Sequence, residues 1–506
     1  MVKAIMLQGT SSHVGKSILT TALCRIFRQD GLKVVPFKAQ NMALNSYVTK
    51  DGGEMGRAQV AQAEAAGLDP MVDMNPVLLK PTGNASSQVI VLGRPVGNMS
   101  AVEYHAGYSR KLLGVIEESL RKLQRDFDVV VIEGAGSPAE VNLKANDIVN
   151  MRIAKLAPAP VLLIADIDRG GALASVVGTL ELLEPDERDL VKGVIINKFR
   201  GDIKLLEPAL EFITAKTGKP VAGVIPHLDD LGIDDEDSVS LDDKQLQASG
   251  EIEIAVLRTP KISNFTDFDA LASEPGVTVR YVRQGERLGR PDMIILPGSK
   301  NTTEDLLYLK EQGYDREILG QVAAGTPVVG ICGGYQMLGR EIRDPEHTES
   351  TFEQVEGLGL IDAATVFAAD KVTHQVTAAS AGLAFLGIDY SDDCLTGYEI
   401  HMGRTEFFSP VRPAFTITCR SGQAITRDDG VVRPDGLVMG TYIHGLFDND
   451  EFRRAVVNAL RGRKGLEPLA AGMSTRQRKE AAYDRLAEVV RSSLDMELIY
   501  KIIGAK

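Results

Sequence analysis

The 506-residue sequence has no tryptophan and only four cysteines, Cys24, Cys332, Cys394 and Cys419. None of them stands in C-x-x-C spacing, so neither a zinc site nor a disulfide framework is read here. No apolar run approaches the ~18 residues of a membrane span. Positive charge is short as well: 56 Lys and Arg against 69 Asp and Glu leave a net charge of −13. That deficit excludes the basic face of a nucleic-acid-binding protein, although it leaves room for a local basic pocket that takes small anions. Little precedes the first motif either, since Met1 to Leu7 runs straight into a glycine-rich loop and leaves no space for a signal peptide. These absences predict a cytoplasmic protein with neither nucleic acid nor membrane as partner.

What is present is ordinary for a globular chain, with 44% hydrophobic and 25% charged residues. The length exceeds what one core supports, so two or three domains are expected. Up to about residue 225, short apolar runs at 4–7, 34–37, 129–132, 161–165, 194–196 and 221–225 alternate with helical stretches. Continuous apolar strands separated by helices predict a doubly wound α/β domain on a parallel sheet. Ligands of such sheets sit at the carboxyl ends of the strands.

The polar motifs fall at those ends. After the first run comes Gly9-Thr10-Ser11-Ser12-His13-Val14-Gly15-Lys16-Ser17, then a helical segment. Glycines let backbone N–H groups approach phosphate, Lys16 meets the β and γ phosphates, and the Ser17 hydroxyl is placed for Mg²⁺. The loop departs by one position from the usual G-x-x-x-x-G-K-[ST], because residue 10 is threonine. Glu133-Gly-Ala-Gly136 follows the 129–132 run, where a metal-coordinating carboxylate belongs. Asp166-Ile-Asp168-Arg169 follows 161–165, and Asn197-Lys198 follows 194–196, a place to read an adenine edge. Lys38 ends the second run and reads equally well as an anion contact or a solvated lysine.

The sequence divides at 1–230, an acidic linker at 231–250, a second domain at 251–450 and a helical segment at 451–506 expected to pack on the second domain. Apolar runs at 252–257, 277–282, 293–296 and 328–331 predict a second doubly wound α/β sheet. The last of these leads into Gly330-Ile-Cys332-Gly-Gly-Tyr-Gln. A cysteine at a sharp strand-to-helix turn, facing a helix N-terminus, is a nucleophile in the making. It needs an oxyanion hole, for which Gly333 and the Gly298-Ser299 turn are candidates, and a base. His444, delivered at the end of Leu437-Val-Met-Gly-Thr-Tyr-Ile443, is favoured over His401, and His374 reads as a surface residue.

The Cys332 elbow with the distant His444 resembles the class I glutamine amidotransferases. The Gly9–Ser17 loop with Glu133-Gly-Ala-Gly136 is similar to dethiobiotin-synthetase-like ATPases. Their fusion in this order, with Phe37-Lys-Ala-Gln40-Asn41-Met-Ala-Leu-Asn45-Ser46, Gly53-Glu-Met-Gly-Arg57-Ala-Gln59 and Asp166-Ile-Asp-Arg-Gly-Gly171, resembles the cobyric acid synthase family over essentially the whole length. The resemblance implies a glutamine-hydrolysing amide ligase that amidates the b, d, e and g carboxyls of adenosylcobyrinic acid a,c-diamide in cobalamin biosynthesis. Its partners would be the corrinoid, L-glutamine and ATP. ATP would be held by Gly9, Thr10, Val14, Gly15, Lys16, Ser17 and Asn197, with Mg²⁺ on Ser17 and Glu133. Cys332 and His444 would free ammonia. Lys38, Gln40, Asn41, Asn45, Asp166, Asp168 and Arg169 would serve the main substrate. The rival readings are cobyrinic acid a,c-diamide synthase, which the 38–46 and 53–59 strings oppose, and a ParA- or MinD-like regulatory ATPase, which the cysteine elbow opposes. One departure stands out: many class I glutaminases carry glutamate two residues after the histidine, and this chain has Leu446 there. The histidine's orienting partner is thus left open, with a backbone carbonyl able to serve.

Overall fold

Runs of apolar residues that can be buried on both faces build two parallel sheets. In this computed structural model residues 3–83, 86–228, 232–233, 250–368, 370–388 and 390–505 are described. The expected linker lies outside the described residues except for Gly232, Ile233 and Gly250. The first sheet is six-stranded and wholly parallel, in the order Val221–Pro226, Val191–Phe199, Val161–Asp166, Lys3–Gly9, Val129–Glu133, Val34–Phe37. The phosphate-loop motif therefore leaves a central strand, flanked by the strands that end in Glu133 and Asp166. A smaller sheet of Gln40–Met42, Val77–Pro81, Ser86–Val91 and Arg94–Ser100 follows.

The second parallel sheet runs Val277–Val282, Ile252–Leu257, Met293–Leu296, Val328–Ile331, Val438–Thr441, with Val431–Val432 antiparallel at its edge. Sequence reading did not anticipate the antiparallel sheet beside it: Gln423–Asp429, Phe415–Arg420, Val372–Ala381, Ser391–His401 and Ile443–His444. Its edge strand Gln423–Asp429 is exposed along most of its length, which leaves too little apolar pattern to read. This sheet carries His444 to the elbow, because Tyr398 pairs with His444 across its last two strands.

The closing segment corrects one expectation. Helix Asp450–Arg463 buries Phe452, Val456, Val457 and Leu460 in the core of the second unit. Helices Thr475–Ser493 and Met496–Ile502 instead join the core of the first unit through Tyr483, Leu486, Val490, Leu494 and Ile499. Their apolar spacing defines a face but not the surface that face meets. Ion pairs match the two surfaces at the rim of that apolar contact: Arg25 pairs with Glu480 and Asp484, each at 2.8 Å, and Arg491 with Asp30 at 2.9 Å. Gly223 completes the fit, since a Cβ there would lie 2.2 Å from the Ser493 carbonyl oxygen.

The two units also meet along the segment from Ser46 to Gly56. Val48 packs on Tyr398 and Ile400, Thr373 Oγ1 donates to the Gly52 carbonyl at 2.9 Å, and Ser46 N–H donates to Asn264 Oδ1 at 3.2 Å.

Candidate active site

At the carboxyl end of the first sheet the strand Lys3–Gly9 breaks into a loop that enters helix Lys16–Gln29 through Gly15, at φ 97°. Lys16 reaches back across the loop, its Nζ donating to the carbonyls of Ser11 at 3.0 Å and Gly136 at 3.1 Å. A side chain at Gly9 would collide with Val14 and with the Ser11 carbonyl, at 2.6 and 2.7 Å, so the loop is closed to anything larger. Asn197 Nδ2 donates to the Val14 carbonyl at 2.7 Å, and Lys198 Nζ to that of His13 at 2.8 Å while pairing with Asp166 at 2.9 Å. Asn197 and Asp166 thus fix the loop from the neighbouring strands. Thr10 sits at its start, where its N–H donates to the Ile164 carbonyl at 2.9 Å.

Glu133 is the hub of this end. Its carboxylate, buried at 1% exposure, accepts from Ser17 Oγ at 2.8 Å, Lys38 Nζ at 2.8 Å, Gln62 Nε2 at 2.5 Å and Gln59 Nε2 at 3.4 Å. Lys38, expected either on an anion or in solvent, is buried in this ion pair. A hydroxyl and a carboxylate side by side next to a phosphate loop fit Mg²⁺, which keeps waters and phosphate oxygens for its other positions. Asn41 Nδ2 donates to Gln59 Oε1 at 2.9 Å, which ties the segment carrying Asn45 to the same hub, and Gln40 accepts from the Tyr104 hydroxyl at 2.5 Å. Asp168 and Arg169 lie further out, with Asp168 3.4 Å from Arg200 and Arg169 exposed.

In the second unit Cys332 caps strand Val328–Ile331 at φ 52° and ψ −110°. Such a backbone costs a residue with a Cβ about 1–3 kcal/mol and persists only where the surroundings enforce it. They do: Cys332 N–H donates to the Thr441 carbonyl at 2.8 Å. A Cβ on Gly334 would lie 1.9 Å from the Leu296 carbonyl oxygen, so only glycine lets the following turn press on the neighbouring strand. A Cβ on Gly333 would lie 2.8 Å from Ser299 N, so the backbone groups of Gly333 and Ser299 converge beside the thiol. Ser299 is held there by its hydroxyl on Asp305, at 2.5 Å. Gly298 completes this edge next to the His444 ring.

His444 is 1% exposed, and its Nδ1 lies 2.6 Å from Asp267 Oδ2; the other oxygen of Asp267 accepts the Gly445 N–H at 3.0 Å. Asp267 is the partner that sequence reasoning left open, and it arrives from the short helical turn Phe265–Phe268. The Nε2 of His444 has no hydrogen-bond partner among the described residues, while the Cys332 thiol, near enough to act on the imidazole, donates to the Ile400 carbonyl at 3.5 Å. Burial alone would drive the imidazolium toward neutrality. The Asp267 carboxylate and the Cys332 thiol outweigh burial and lift its pKa to about 10. Tyr398 stacks on the His444 ring, with centroids 5.2 Å apart and planes 15° from parallel. His401, the second candidate, stacks at 3.8 Å on Tyr442 and lies 3.8 Å from Glu399; burial drives its pKa down despite that carboxylate. His374 is half-buried on Ser421, at 3.2 Å, rather than free on the surface.

A thiol on a strained turn, an imidazole held by a carboxylate and converging backbone groups can open an amide through a thioester. A phosphate loop with a carboxylate and a hydroxyl can transfer a phosphoryl group. Two family descriptions match these two halves. Residues 5–240 match a CobQ/CobB/MinD/ParA nucleotide binding domain, and residues 253–452 a CobB/CobQ-like glutamine amidotransferase domain. Over its full length the chain is 60% identical to a cobyric acid synthase of Pelotomaculum thermopropionicum, of which it spans 97%. The chain belongs to the cobyric acid synthase family. Family members from Moorella thermoacetica and Desulforamulus reducens are 57% and 54% identical, each matched over 100% of this chain and 98% of their own length. As a member of the cobyric acid synthase family the chain is a glutamine amidotransferase ligase with a nucleotide-binding unit.

Proposed function

We propose that the chain amidates the b, d, e and g carboxyls of adenosylcobyrinic acid a,c-diamide, using ATP and glutamine. The single observation that carries this reading is the pairing, in one chain, of the Cys332–His444–Asp267 constellation with the Gly9–Ser17 loop on Glu133. Residues 1–230 would serve the ligase reaction and 251–450 the supply of ammonia, in a cytoplasmic enzyme whose partners are small molecules.

At the thiol site, Cys332 Sγ, its proton passed to His444, attacks the glutamine carboxamide carbon while the N–H groups of Gly333 and Ser299 receive the oxyanion, with Gly298 shaping that edge. His444, charged and held by Asp267, gives its Nε2 proton to the departing nitrogen; ammonia leaves and a glutamyl thioester remains. Water, its proton taken by His444, then hydrolyses the thioester to glutamate and restores the thiol.

At the phosphate loop, Lys16 and the loop N–H groups hold the β and γ phosphates of ATP. Bound Mg²⁺, which Ser17 and Glu133 would hold, neutralises phosphate charge. A substrate carboxylate oxygen attacks the γ phosphorus, ADP leaves, and an acyl phosphate forms. Ammonia attacks its carbonyl carbon, the C–O bond to phosphate breaks, and the amide forms with loss of one proton. Asn197 secures the loop beside the base. Lys38, Gln40, Asn41, Asn45, Asp166, Asp168 and Arg169 would serve the corrinoid side, with Lys38 exchanging its pairing to Glu133 for substrate or phosphate.

The test is the mass of the corrinoid product. Cys332→Ser abolishes glutamine-dependent amidation and leaves amidation with ammonium salts. Glutamine use by that variant would reject Cys332 as nucleophile. A mass gain on cobyrinic acid, rather than on its a,c-diamide, would assign the sister reaction.

A further inference from the structure

The pocket beside Cys332 holds more charge than amide chemistry requires. Lys80, Lys300, Glu349 and Lys371 line it together with Asn264 and Gln336. Glutamine arrives there with two charges of its own, the α-ammonium and the α-carboxylate, neither of which takes part in opening the amide. Charges withdrawn from water need opposite charges in place. The question is which side chains in the pocket remain available to meet them.

Two of the lysines are already committed. Lys80 Nζ sits 2.7 Å from Glu54 Oε1 and 2.9 Å from Ser46 Oγ. Lys371 Nζ sits 2.5 Å from Glu54 Oε2 and 3.1 Å from Gln88 Oε1. Both oxygens of the fully buried Glu54 are thereby occupied. Lys300 differs: its backbone N–H donates to the Lys261 carbonyl at 2.9 Å, and its ammonium has no hydrogen-bond or ion-pair partner among the described residues. It lies in the field of Glu349 and close enough to sense Cys332. Glu349 is fixed at the start of helix Thr302–Glu311, where Oε1 accepts the N–H groups of Thr302 and, at 3.4 Å, Thr303. Gln336 is likewise pinned, with Nε2 on the Met402 carbonyl at 2.7 Å and Oε1 on Thr302 Oγ1 at 3.0 Å. One uncommitted cation and one anchored carboxylate thus share the pocket with the thiol.

We propose that Glu349 and Lys300 read the amino-acid end of glutamine, Glu349 taking the α-ammonium and Lys300 the α-carboxylate, so that the carboxamide is delivered to Cys332. The assignment rests on Cys332 being the glutaminase nucleophile. It accounts for the electrostatics of the pair: burial pushes the Glu349 carboxyl up to about 7 and draws the Lys300 ammonium down. A zwitterion seated between them returns each group toward its ordinary charged state.

Glutamine and two truncated amides separate the roles: 5-amino-5-oxopentanoate lacks the α-ammonium, and 4-aminobutanamide lacks the α-carboxylate. Glutaminase rates of the full-length wild-type enzyme should favour glutamine in kcat/KM over each by about 10- to 100-fold, the worth of one charge-assisted hydrogen bond. In Glu349→Gln the KM for glutamine rises by a similar factor. Its preference over 5-amino-5-oxopentanoate collapses toward one, while the preference over 4-aminobutanamide persists. Lys300→Met gives the mirror image. Ammonium-supported amidation reports that each variant is folded. The proposal is overturned if wild-type enzyme accepts the truncated amides as well as glutamine, a measurement that needs no variant. It is equally overturned if a folded variant keeps wild-type discrimination, or if all three amides lose rate alike. Failure of the underlying nucleophile assignment shows separately, as glutamine-dependent amidation by Cys332→Ser.

Discussion

Replacing Asp267 by asparagine isolates the contribution of the carboxylate that the chain places on His444 from far upstream. The change keeps side-chain volume and removes one charge 2.6 Å from Nδ1. The lift of the imidazole from 6.5 to about 10 corresponds to about 5 kcal/mol of preference for the charged ring, at 1.36 kcal/mol per pKa unit. Asp267 and Cys332 share that preference, with Asp267 the larger contributor. Losing at least half of it gives a drop of roughly 10²-fold or more, and an asparagine N–H facing Nδ1 also favours the wrong tautomer, extending the loss toward ~10⁴-fold. Glutamate release by Asp267→Asn should therefore fall by about 10²- to 10⁴-fold, while ammonium-dependent amidation persists. The pH profile carries the sign. A raised folded pKa means that His444 stays charged, and contributes stability, fully below pH 6.5, and loses both as pH rises through about 10. In the variant the alkaline limb of the glutaminase rate moves to lower pH. A rate within three-fold of wild type, or an unmoved alkaline limb, refutes the reasoning. A parallel fall in ammonium-dependent amidation would instead mark Asp267 as a structural support.

Two further perturbations probe the rest of the machine. Lys16→Met removes the cation that spans from Ser11 to Gly136; amidation falls by at least ~10²-fold with glutamine and ammonium alike, read as corrinoid mass gain. Glu54→Gln leaves Lys80 and Lys371 buried without their shared carboxylate and costs about 3–5 kcal/mol in urea unfolding at pH 7. Burial pushes Glu54 up, but Lys371 and Lys80 outweigh it and hold its pKa at about 2. Its stabilisation is thus complete above pH 4.5 and fades as pH falls through about 2, so the gap between variant and wild type closes over that range.

Local chemistry made the phosphate loop, the elbow and His444 readable in the sequence. Each is a string in which strand, glycine turn and helix follow one another, and the structure keeps each string as one piece of backbone. Asp267 was not readable, because its pairing with His444 spans 177 positions and its own string, Asn264-Phe-Thr-Asp267, has no periodicity that marks a site. The asparagine at φ 53° was the one available hint, since a side chain that tolerates a left-handed backbone opens that turn. Lys38 failed to declare its partner for a related reason: it and Glu133 end adjacent strands that are 95 residues apart in sequence. The destination of the last two helices likewise depends on a matching surface elsewhere in the chain, the apolar core of the first unit with Arg25 and Asp30 at its rim, which no single helix reveals.

The turn that delivers Asp267 is also the turn on which the two units meet. Asn264, at its start, accepts the Ser46 N–H at 3.2 Å and donates to the Tyr398 hydroxyl at 3.3 Å; that hydroxyl donates to the Ser46 carbonyl at 3.4 Å. Tyr398 in turn lies flat on His444 and tilts against Tyr47, with centroids 5.1 Å apart. The orienting carboxylate and the stacking ring of the histidine are therefore both seated on Ser46 and Tyr47 of the first unit. Those residues connect through the Asn45 carbonyl to Arg57 N–H at 3.2 Å, at the start of the helix whose Gln59 and Gln62 reach Glu133. A displacement of the segment around Ser46 cannot leave both supports of His444 in place, because Asn264 and Tyr398 share its backbone. The seating of His444 on the thiol site is therefore coupled, through Asn264 and Tyr398, to how the first unit docks.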